Sequence, residues 1–276
     1  MQSVNIGVLG LGTVGSGTVT VLRRNIKEIV GRAGRDIAIT RAADRTLQKE
    51  RNYDVSGIDI TTDAFDVVND PDIHVIVELI GGTGIARDLV LQAIENGKHV
   101  VTANKALIAL HGNELFAKAQ EKGVTIAFEA AVAGGIPIIK AMREGLSANR
   151  VAWLAGIING TGNFIMTEMR DKGRDFPDVL AEAQALGYAE ADPTFDVEGI
   201  DAAHKLTIMA SIAFGIPLQF DKAYTEGISQ VSQEDVKYAA ELGYIIKHLG
   251  ITKQTDKGIE LRVHPTLIPH RRLIAN

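Results

Sequence analysis

The sequence predicts an α/β protein in which a doubly wound parallel sheet is followed by an α+β domain with a mixed sheet. Its 276 residues suit one large domain or two joined domains. Apolar strands alternate with amphipathic helices through the first 130 residues, which is typical of parallel βαβ units. This alternation stops near residue 131, and the late segments "YIIKHLGITKQ" and "GIELRVHPTLIP" alternate as antiparallel strands do. We therefore expect two domains, 1–130 and 131–276.

Composition and charge exclude several classes of protein and site. The net charge of −5 argues against a nucleic-acid partner, because phosphate binding needs a basic face. With no cysteine in the chain, disulfides, thiolate metal sites and cysteine nucleophiles are excluded, and we expect a cytoplasmic protein. Residues 4–22 carry no charge, but five of them are glycine and no lysine or arginine precedes them. We therefore expect neither a signal sequence nor a membrane span.

The stretch "VNIGVLGLGTVGSGTVTVLRRN" (4–25) is typical of a buried strand at 4–9, a glycine turn and a helix. In its G-x-G-x-x-G pattern, Gly10 permits the tight turn, Gly12 lets backbone N–H groups approach a pyrophosphate, and Gly15 lets the helix pack closely on the strand. The helix start adds partial positive charge. This context predicts a Rossmann-like dinucleotide site rather than a glycine-rich turn without a ligand. Its candidate residues are Gly10, Gly12, Thr13, Val14 and Gly15.

A second predicted strand, "DIAITRAADR" (36–45), ends in an acid and a base. An acid at this position usually holds the adenosine ribose hydroxyls, whereas an arginine can hold a 2′-phosphate. Asp44 and Arg45 are both present, so the pattern allows NAD or NADP, and Arg45 can also be a solvated loop charge. The spacing from the glycines to Asp44 is longer than usual, which predicts a longer first helix.

Three further strands are predicted near 74–80, 98–102 and 124–128, with helices between them. In a doubly wound sheet, ligands bind beyond the carboxyl ends of the strands. The segments at these ends are "IGGTG" (80–84), "TANK" (102–105) and "EAAVAGGIP" (129–137). They supply three more cofactor candidates, Gly81, Gly82 and Lys105. A lone lysine is more often a surface charge, but the place of Lys105 favours a functional role.

In the second domain, "RVAWLAGIIN" (150–159) is predicted as a strand and "NGTGNFIMTEMRDKG" (159–173) as a turn that enters a helix. At that helix start, backbone N–H groups and a hydroxyl at Gly160 and Thr161 suit a carboxylate ligand, with a plain helix cap as the alternative. Two more helices are predicted, "FPDVLAEAQALG", which ends at Gly187, and "GIDAAHKLTIMASIAFG".

The run "EADPTFDVEGIDAAHKL" (190–206) places five carboxylates before Lys205, with no basic residue among them. We expect Asp196 in a loop and Asp201 in the first turn of the following helix, where the helix dipole favours a carboxylate. Lys205 follows one turn later in a mainly apolar helix. The pattern predicts a placed proton-transfer group, with an ordinary i,i+4 salt bridge as the alternative.

Six runs spread in order over nearly the whole chain carry a family resemblance: "GLGTVG" (10–15), "TANKAL" (102–107), "EAAVAGGIPII" (129–139), "GIINGTGNF" (156–164), "ALGYAEADPTFDVEGIDAAHKL" (185–206) and "HPTLIP" (264–269). Together they resemble homoserine dehydrogenase, and the run at 185–206 is especially specific. The resemblance implies an enzyme that interconverts L-homoserine and L-aspartate 4-semialdehyde with NAD(H) or NADP(H). The implied pathway is the biosynthesis of threonine, methionine and isoleucine.

The resemblance also implies roles for individual residues. Lys205 would be the catalytic acid/base, with Glu190 pairing with the substrate ammonium and Asp201 positioning Lys205 and the reacting oxygen. Lys105, a second catalytic candidate, would lie beside the nicotinamide and the substrate, and Gly187 would contact the cofactor. The other candidates for the substrate site are Tyr188, Gly160, Thr161 and Asp196.

A monovalent cation, usually sodium, belongs to the same resemblance. Its ligands would be the Glu129 carboxylate and the backbone carbonyls of Val132, Gly134 and Ile136, and hard cations prefer such oxygen ligands. The implied partners are a small amino-acid substrate and a second copy of the chain in a homodimer, with no nucleic acid and no membrane.

Many members of the family continue beyond the point that matches "HRRLIAN". We therefore expect an incomplete catalytic unit, without the kinase half of bifunctional relatives and without feedback inhibition by threonine. One rival function is another amino-acid or aldehyde dehydrogenase, although the acylating semialdehyde dehydrogenases need a cysteine nucleophile and this chain has none. The other rival is a non-catalytic or partial dinucleotide-binding fragment, which a turnover assay with homoserine would separate from an enzyme.

Overall fold

The computed structural model describes residues 3–47 and 50–275, and the chain divides into two compact units. The first unit is Met1–Ile139 and the second is Lys140–Asn276. Each unit contains one sheet and its own helices. The assignment of separate functions to 1–130 and 131–276 stays a prediction.

A parallel sheet of six strands forms the centre of the first unit, in the order β3-β2-β1-β4-β5-β6. The strands are β1 (Val4–Leu9), β2 (Ile37–Ala43), β3 (Asp59–Thr61), β4 (Val75–Glu78), β5 (His99–Thr102) and β6 (Ile126–Ala127). The helices are α1 (Thr13–Arg24), α2 (Ile26–Ala33), α3 (Ala64–Val68), α4 (Gly84–Glu95) and α5 (Lys105–Lys122), followed by a 3₁₀ helix (Glu129–Ala131). The short helix α6 (Ile138–Lys140) includes the boundary between the two units. After β1, strands β2 and β3 are added on one side of it, and strands β4, β5 and β6 are then added on its other side. The predicted doubly wound sheet is therefore confirmed.

The strands of this sheet are apolar because helices cover the sheet and remove its side chains from water. Leu9 and Ile76, for example, are completely buried. The register aligns the strand ends: Leu9 pairs with Ala43 of β2 and with Glu78 of β4, and Glu78 pairs with Thr102 of β5. The carboxyl ends of four neighbouring strands are therefore level at one edge of the sheet.

Three local features of the first unit differ from the sequence prediction. The expected single long helix was wrong: the backbone leaves the helical conformation at Asn25 (φ −108°, ψ 22°), which separates α1 from α2. The strand expected at 124–128 pairs only over Ile126–Ala127. The elements β3 and α3 were not predicted, because three and five residues are too few for a periodic pattern.

A mixed sheet of four strands forms the second unit, in the order β7-β9-β10-β8. The strands are β7 (Trp153–Gly156), β8 (Tyr224–Thr225), β9 (Tyr244–Thr255) and β10 (Gly258–Pro269). Strand β9 pairs antiparallel with both β7 and β10, which confirms the prediction for the two final strands. The short strand β8 pairs parallel with β10, so the sheet is mixed.

The helices of the second unit are α7 (Gly160–Lys172), α8 (Phe176–Ala185), α9 (Thr194–Val197), α10 (Ile200–Phe214) and α11 (Gln233–Glu241), with a π-helix (Ala141–Gly145) and two 3₁₀ helices (Phe220–Lys222 and Leu273–Ala275). Helices α7 and α8 share a core that contains Ile165, Met169 and Val179. Helix α10 packs on β9 and β10, where Leu206 and Val263 belong to one buried cluster. Most of α10 is buried, so its polar side chains lie in a medium of low dielectric.

Two predictions for the second unit need correction. The strand expected over 150–159 is limited to β7, and the residues after it form the approach to α7. Asp196 was expected in a loop but lies in the one-turn helix α9. In the described ranges 3–47 and 50–275, no helix is both long and apolar enough to cross a membrane.

Candidate functional site

The first unit contains a cleft of about 620 Å³ at the carboxyl ends of β1, β2 and β4. The chain leaves β1 toward one side of the sheet and β4 toward the other, and doubly wound sheets bind ligands at such a position. Five cofactor candidates line this cleft: Gly10, Gly12, Asp44, Arg45 and Gly81. Of the six candidates outside its lining, five belong to the first unit: Thr13, Val14 and Gly15 are in the first turn of α1, Gly82 is in the loop after β4, and Lys105 begins α5.

The glycine turn has a geometry that side chains would block. Gly10 has a φ of +94°, and a Cβ at this residue would lie 2.9 Å from the carbonyl oxygen of Leu79. A Cβ at Gly15 would lie 2.0 Å from the carbonyl oxygen of Gly10. Gly12 is the N-cap of α1, and the space that its Cβ would occupy is open. The start of α1 can therefore accept an anionic group against its N–H donors.

Asp44, directly after β2, holds the glycine turn from one side. Its Oδ2 accepts a hydrogen bond from Leu11 N–H (3.2 Å), and its Oδ1 accepts one from Thr46 N–H (2.9 Å). Arg51 Nη2 lies 4.0 Å from the same Oδ2. Arg45, in contrast, is exposed on the wall of the cleft. The Asp44 carboxylate is therefore bonded to the protein's own backbone, whereas Arg45 is an exposed residue of the cleft lining.

Glu78, the last residue of β4, is fully buried and organises the loop that follows. Its Oε1 accepts hydrogen bonds from the N–H groups of Ile80 (3.0 Å) and Gly81 (3.3 Å). Its Oε2 accepts one from Thr102 Oγ1 of the neighbouring strand (2.6 Å). Sequence reasoning missed this residue. The available signal was an acid at the end of an apolar strand, where an unpaired charge would be costly.

Asn104 continues this network to the start of α5. Its N–H donates to Thr102 Oγ1 (2.9 Å), its Nδ2 donates to the carbonyl of Gly82 (2.6 Å), and its Oδ1 caps the helix by accepting from Leu107 N–H (3.1 Å). Lys105 is therefore the first residue of a helix that is tied to the loop after β4. The signal for Asn104 in the sequence was an asparagine directly before a helical pattern.

The proposed cation ligands lie near the end of the first unit. Glu129 begins a 3₁₀ helix, and its Oε1 accepts a hydrogen bond from Ile139 N–H (2.9 Å). Ala133 and Gly134 both have left-handed backbone conformations, with φ of 61° and 56°. The carbonyl of Ile136 accepts from Ile138 N–H (2.8 Å). Among the described residues no group of three or more His, Cys, Asp or Glu side chains suits a metal, so a cation here would depend on backbone oxygens.

In the second unit, Asp201 and Lys205 form an ion pair on α10. Lys205 Nζ donates to Asp201 Oδ2 (2.6 Å) and to the carbonyl of Ile158 (2.9 Å). The Asp201 side chain is 5% exposed and that of Lys205 is 18% exposed. The i,i+4 spacing therefore forms a partly desolvated pair rather than a surface salt bridge, and its chemical role remains a prediction.

Asn159 joins this pair to the other candidates of the second unit. Its Nδ2 donates to Asp196 Oδ1 (2.7 Å) and to Asp201 Oδ2 (2.8 Å), and its Oδ1 accepts from Gly162 N–H (2.7 Å). Asn159 is thus the N-cap of α7, which begins with the predicted carboxylate-binding turn. The sequence pattern singled out the turn but not this residue, although asparagine before a helix is a recognisable cap.

The segment 187–190 lies against the same helix start. Thr161 Oγ1 donates to the carbonyl of Tyr188 (2.7 Å), and the Tyr188 ring makes an edge contact with Phe164. Gln184 Nε2 donates to the backbone carbonyl of Glu190 (3.0 Å). Glu190 itself is an exposed residue. Gly187 follows α8 with a φ of +75° and is the one cofactor candidate that lies in the second unit.

Comparisons with known proteins agree on one family. The model for "Homoserine dehydrogenase" matches residues 137–276, and the model for "Homoserine dehydrogenase, NAD binding domain" matches residues 10–129. The homoserine dehydrogenase of Pseudomonas aeruginosa is 71% identical over 100% of this chain and 63% of its own length. A crystal structure of homoserine dehydrogenase from Thiobacillus denitrificans has a TM-score of 0.97 at 69% identity, covering 100% of this chain and 64% of that one. For the S. aureus homoserine dehydrogenase structure the TM-score is 0.87 at 38% identity, over 99% of this chain and 67% of that one.

The chain spans about 63% of the length of the first curated relatives that it matches. Within that span, the matched regions include the glycine turn of the first unit and the Asp201–Lys205 pair of the second. The first of these regions is an NAD-binding domain. The resemblance inferred from six short runs is confirmed: this chain belongs to the homoserine dehydrogenase family.

Proposed function

We propose that this chain catalyses the reversible, NAD(P)-dependent interconversion of L-homoserine and L-aspartate 4-semialdehyde. The observation that carries the proposal is the pair formed by Lys205 and Asp201, in which an ammonium group lies 2.6 Å from a buried carboxylate. A lysine held in this way can exchange a proton with an alcohol or a carbonyl oxygen. Membership of the homoserine dehydrogenase family supports the choice of substrate.

In this proposal the first unit binds the dinucleotide, whose pyrophosphate would lie at the start of α1 near Gly12. The first N–H groups of a helix lack partners within the helix and attract anions. When bound, the dinucleotide gives or accepts the hydride. Arg45 on the cleft wall would pair with a 2′-phosphate, while both oxygens of Asp44 accept hydrogen bonds from backbone N–H groups. These contacts favour NADP(H) over NAD(H).

Lys205 would hold and move the proton of the reaction. Its ammonium group has three donors, and Asp201 Oδ2 and the Ile158 carbonyl each accept from it. The third donor would serve the substrate oxygen. In the direction of aldehyde reduction, Nζ would give a proton to the alkoxide that forms as the hydride arrives. In the direction of homoserine oxidation, the proton would return to Nζ.

The amino-acid end of the substrate would be held at the start of α7. Its carboxylate would accept hydrogen bonds from the N–H groups at Gly160 and Thr161, in the manner of anions at helix N-termini. Glu190 would pair with the substrate ammonium. The bond from Thr161 Oγ1 to the Tyr188 carbonyl supports this assignment, because it brings the segment that carries Glu190 to the same helix start.

We also propose a sodium site in the first unit. The donor set fits sodium because it consists only of oxygen atoms: the Glu129 carboxylate and the carbonyls of Val132, Gly134 and Ile136. Ala133, between two of these carbonyls, has a left-handed backbone, which costs a residue with a Cβ roughly 1–2 kcal/mol. Melting temperatures in sodium chloride and in tetramethylammonium chloride at equal ionic strength test the site. We expect a higher melting temperature in sodium that Glu129→Gln removes; equal temperatures would contradict the proposal.

We propose that the protein is a cytoplasmic homodimer that serves the biosynthesis of threonine, methionine and isoleucine. The absence of cysteine and the amino-acid substrate support this setting. Size-exclusion chromatography with light scattering tests the dimer, for which the expected mass is twice 29.6 kDa.

The activity is tested by mixing the purified chain with L-aspartate 4-semialdehyde and NADPH and following the nicotinamide absorbance. The reverse assay uses L-homoserine and NADP⁺. We expect turnover in both directions. NADPH binding without turnover would favour a non-catalytic or partial binding fragment, and turnover of a different aldehyde alone would favour another dehydrogenase.

A further inference from the structure

Asn159 is a buried residue that makes hydrogen bonds to three separate parts of the second unit. Its Oδ1 accepts from Gly162 N–H of α7, and its Nδ2 donates to Asp196 of α9 and to Asp201 of α10, all within 2.7–2.8 Å. The opposite orientation of the amide would place its oxygen against two carboxylates. The hydrogen-bond network therefore determines which atom is the donor.

Asp201 Oδ2 is shared between this amide and the ammonium of Lys205. Lys205 approaches from one turn later on α10, whereas Asn159 approaches from the segment between β7 and α7. Two donors from different directions therefore fix the position of this oxygen. Without the amide, Oδ2 would lose the donor that comes from outside α10.

We propose that Asn159 is a positioning residue that holds Asp201, and through Asp201 orients Lys205 for proton transfer. Its cap on α7 also links this pair to the turn that would receive the substrate carboxylate. The inference rests on the proposed function, because it gives Asn159 a part in that reaction. An amide does not titrate in the physiological range, so Asn159 would act through Asp201 and not move a proton itself.

Two substitutions separate this role from that of a helix cap. Asn, Asp and Ser are about equally good N-caps, so Asn159→Asp and Asn159→Ser should both keep the α7 cap. Both should lower the melting temperature, because the buried carboxylates of Asp196 and Asp201 lose a donor. Neither offers the amide donor to Asp201 at neutral pH. If Asn159 positions the pair, kcat should fall about 10- to 100-fold in both variants, by the typical range for a lost hydrogen bond to a charged group. KM for homoserine should change less, because the turn at Gly160 is kept.

The pH profile distinguishes the two variants. In Asn159→Asp, three carboxyl groups would be in contact, and like charges favour the uptake of one proton as pH falls. A protonated carboxyl is a donor, so the kcat of Asn159→Asp relative to wild type should rise toward low pH, whereas that of Asn159→Ser should not. The other titratable groups facing this site are Lys205 on α10 and His248 on β9, whose Nδ1 lies 3.8 Å from the position of a Cβ on Gly162. Burial lowers the pKa of His248, which disfavours the charged form of its ring.

The control is Ser232→Ala, which removes the capping box of α11 in the same unit. We expect it to lower the melting temperature while kcat stays unchanged. Wild-type kcat in both Asn159 variants, or equal pH profiles, would overturn the positioning role. Crystal structures of Asn159→Ser and wild type give a readout without turnover: we expect the Asp201 carboxylate to leave its position 2.6 Å from Nζ. If the wild type does not turn over homoserine, the proposed function fails, and an unmoved Asp201 in these structures would still overturn the inference.

Discussion

Lys205 Nζ and Asp201 Oδ2 lie 2.6 Å apart on successive turns of α10, and the Asp201 side chain is only 5% exposed. Exposed i,i+4 pairs contribute about 0.3–0.5 kcal/mol, because water competes for both charges. Here the carboxylate has lost most of its water and depends on protein donors, among them Lys205 and Asn159. The Asp201–Lys205 pair is therefore better explained by a chemical role that needs a fixed position than by a contribution to stability.

The glycine turn can be tested with two glycines of the same helix. Gly15→Ala would bring a Cβ to 2.0 Å from the Gly10 carbonyl oxygen, so we expect a loss of stability of about 1–3 kcal/mol and weaker NADPH binding. Gly17→Ala meets open space in α1 and should stabilise the protein by roughly 0.5–1 kcal/mol with unchanged binding. Urea unfolding and a fluorescence titration with NADPH measure both effects. Equal behaviour of the two variants would contradict the turn geometry.

Cofactor preference should depend on Arg45. Replacing it with alanine removes a cation from the cleft wall, and we expect kcat/KM for NADP⁺ to fall about tenfold, as for one lost charged hydrogen bond. The value for NAD⁺ should stay within about twofold, because NAD⁺ has no 2′-phosphate. Steady-state kinetics with both cofactors give the ratio. An unchanged ratio in Arg45→Ala would show that another residue selects the cofactor.

The buried carboxylate of Glu78 should support the loop that follows β4. In Glu78→Gln the amide nitrogen cannot accept the hydrogen bond that Oε2 receives from Thr102, so a buried donor loses its partner. We expect a loss of about 1–3 kcal/mol in unfolding free energy and weaker NADPH binding, since Gly81 is in the same network. The matched control is Glu28→Gln on exposed α2, for which both quantities should match wild type. Wild-type stability in Glu78→Gln would refute the role of this network.

Stability should fall in mild acid through His248. Burial lowers the pKa of this imidazole, and its Nε2 is bonded to the Glu226 carbonyl. In the unfolded chain this histidine has an ordinary pKa near 6.5, so in mild acid the unfolded state binds more protons than the folded state. The stability that the neutral His248 contributes is therefore lost as pH falls below about 6.5. Between pH 7.5 and 5.5 we expect His248→Gln to lose about 1 kcal/mol less unfolding free energy than wild type. Exposed His270→Gln is the control and should follow the wild type; a wild-type slope in His248→Gln would contradict the assignment.

The parts of the fold that the sequence predicted are those with local signals. Gly10, Gly12 and Gly15 lie within six consecutive residues, and the strands and helices of the parallel sheet have periodic patterns. The break at Asn25 lacked such a signal, because both flanking segments are helical in pattern. Strand β3 depends on pairing with β2 across an intervening loop, and no local pattern reveals it.

In the candidate sites, the missed residues are those whose partners are far away in sequence. Glu78 meets Thr102 across 24 residues, and Asn159 meets Asp201 across 42. An isolated asparagine or glutamate in a sequence does not reveal a partner that only folding brings near. The Asp201–Lys205 pair was visible because its four-residue spacing is a helical contact.

The most direct test of the account concerns the proton on Lys205. Lys205→Arg keeps a positive charge beside Asp201, but a guanidinium stays protonated and cannot accept the proton of homoserine. We expect kcat for homoserine oxidation to fall about 10²- to 10⁴-fold in Lys205→Arg and in Lys205→Ala, while the Kd of NADPH stays within about twofold of wild type. The exposed Lys222→Ala serves as the control and should keep wild-type kcat. A kcat of Lys205→Arg within about threefold of wild type, with NADPH binding intact, would contradict the assignment of Lys205 as the acid/base.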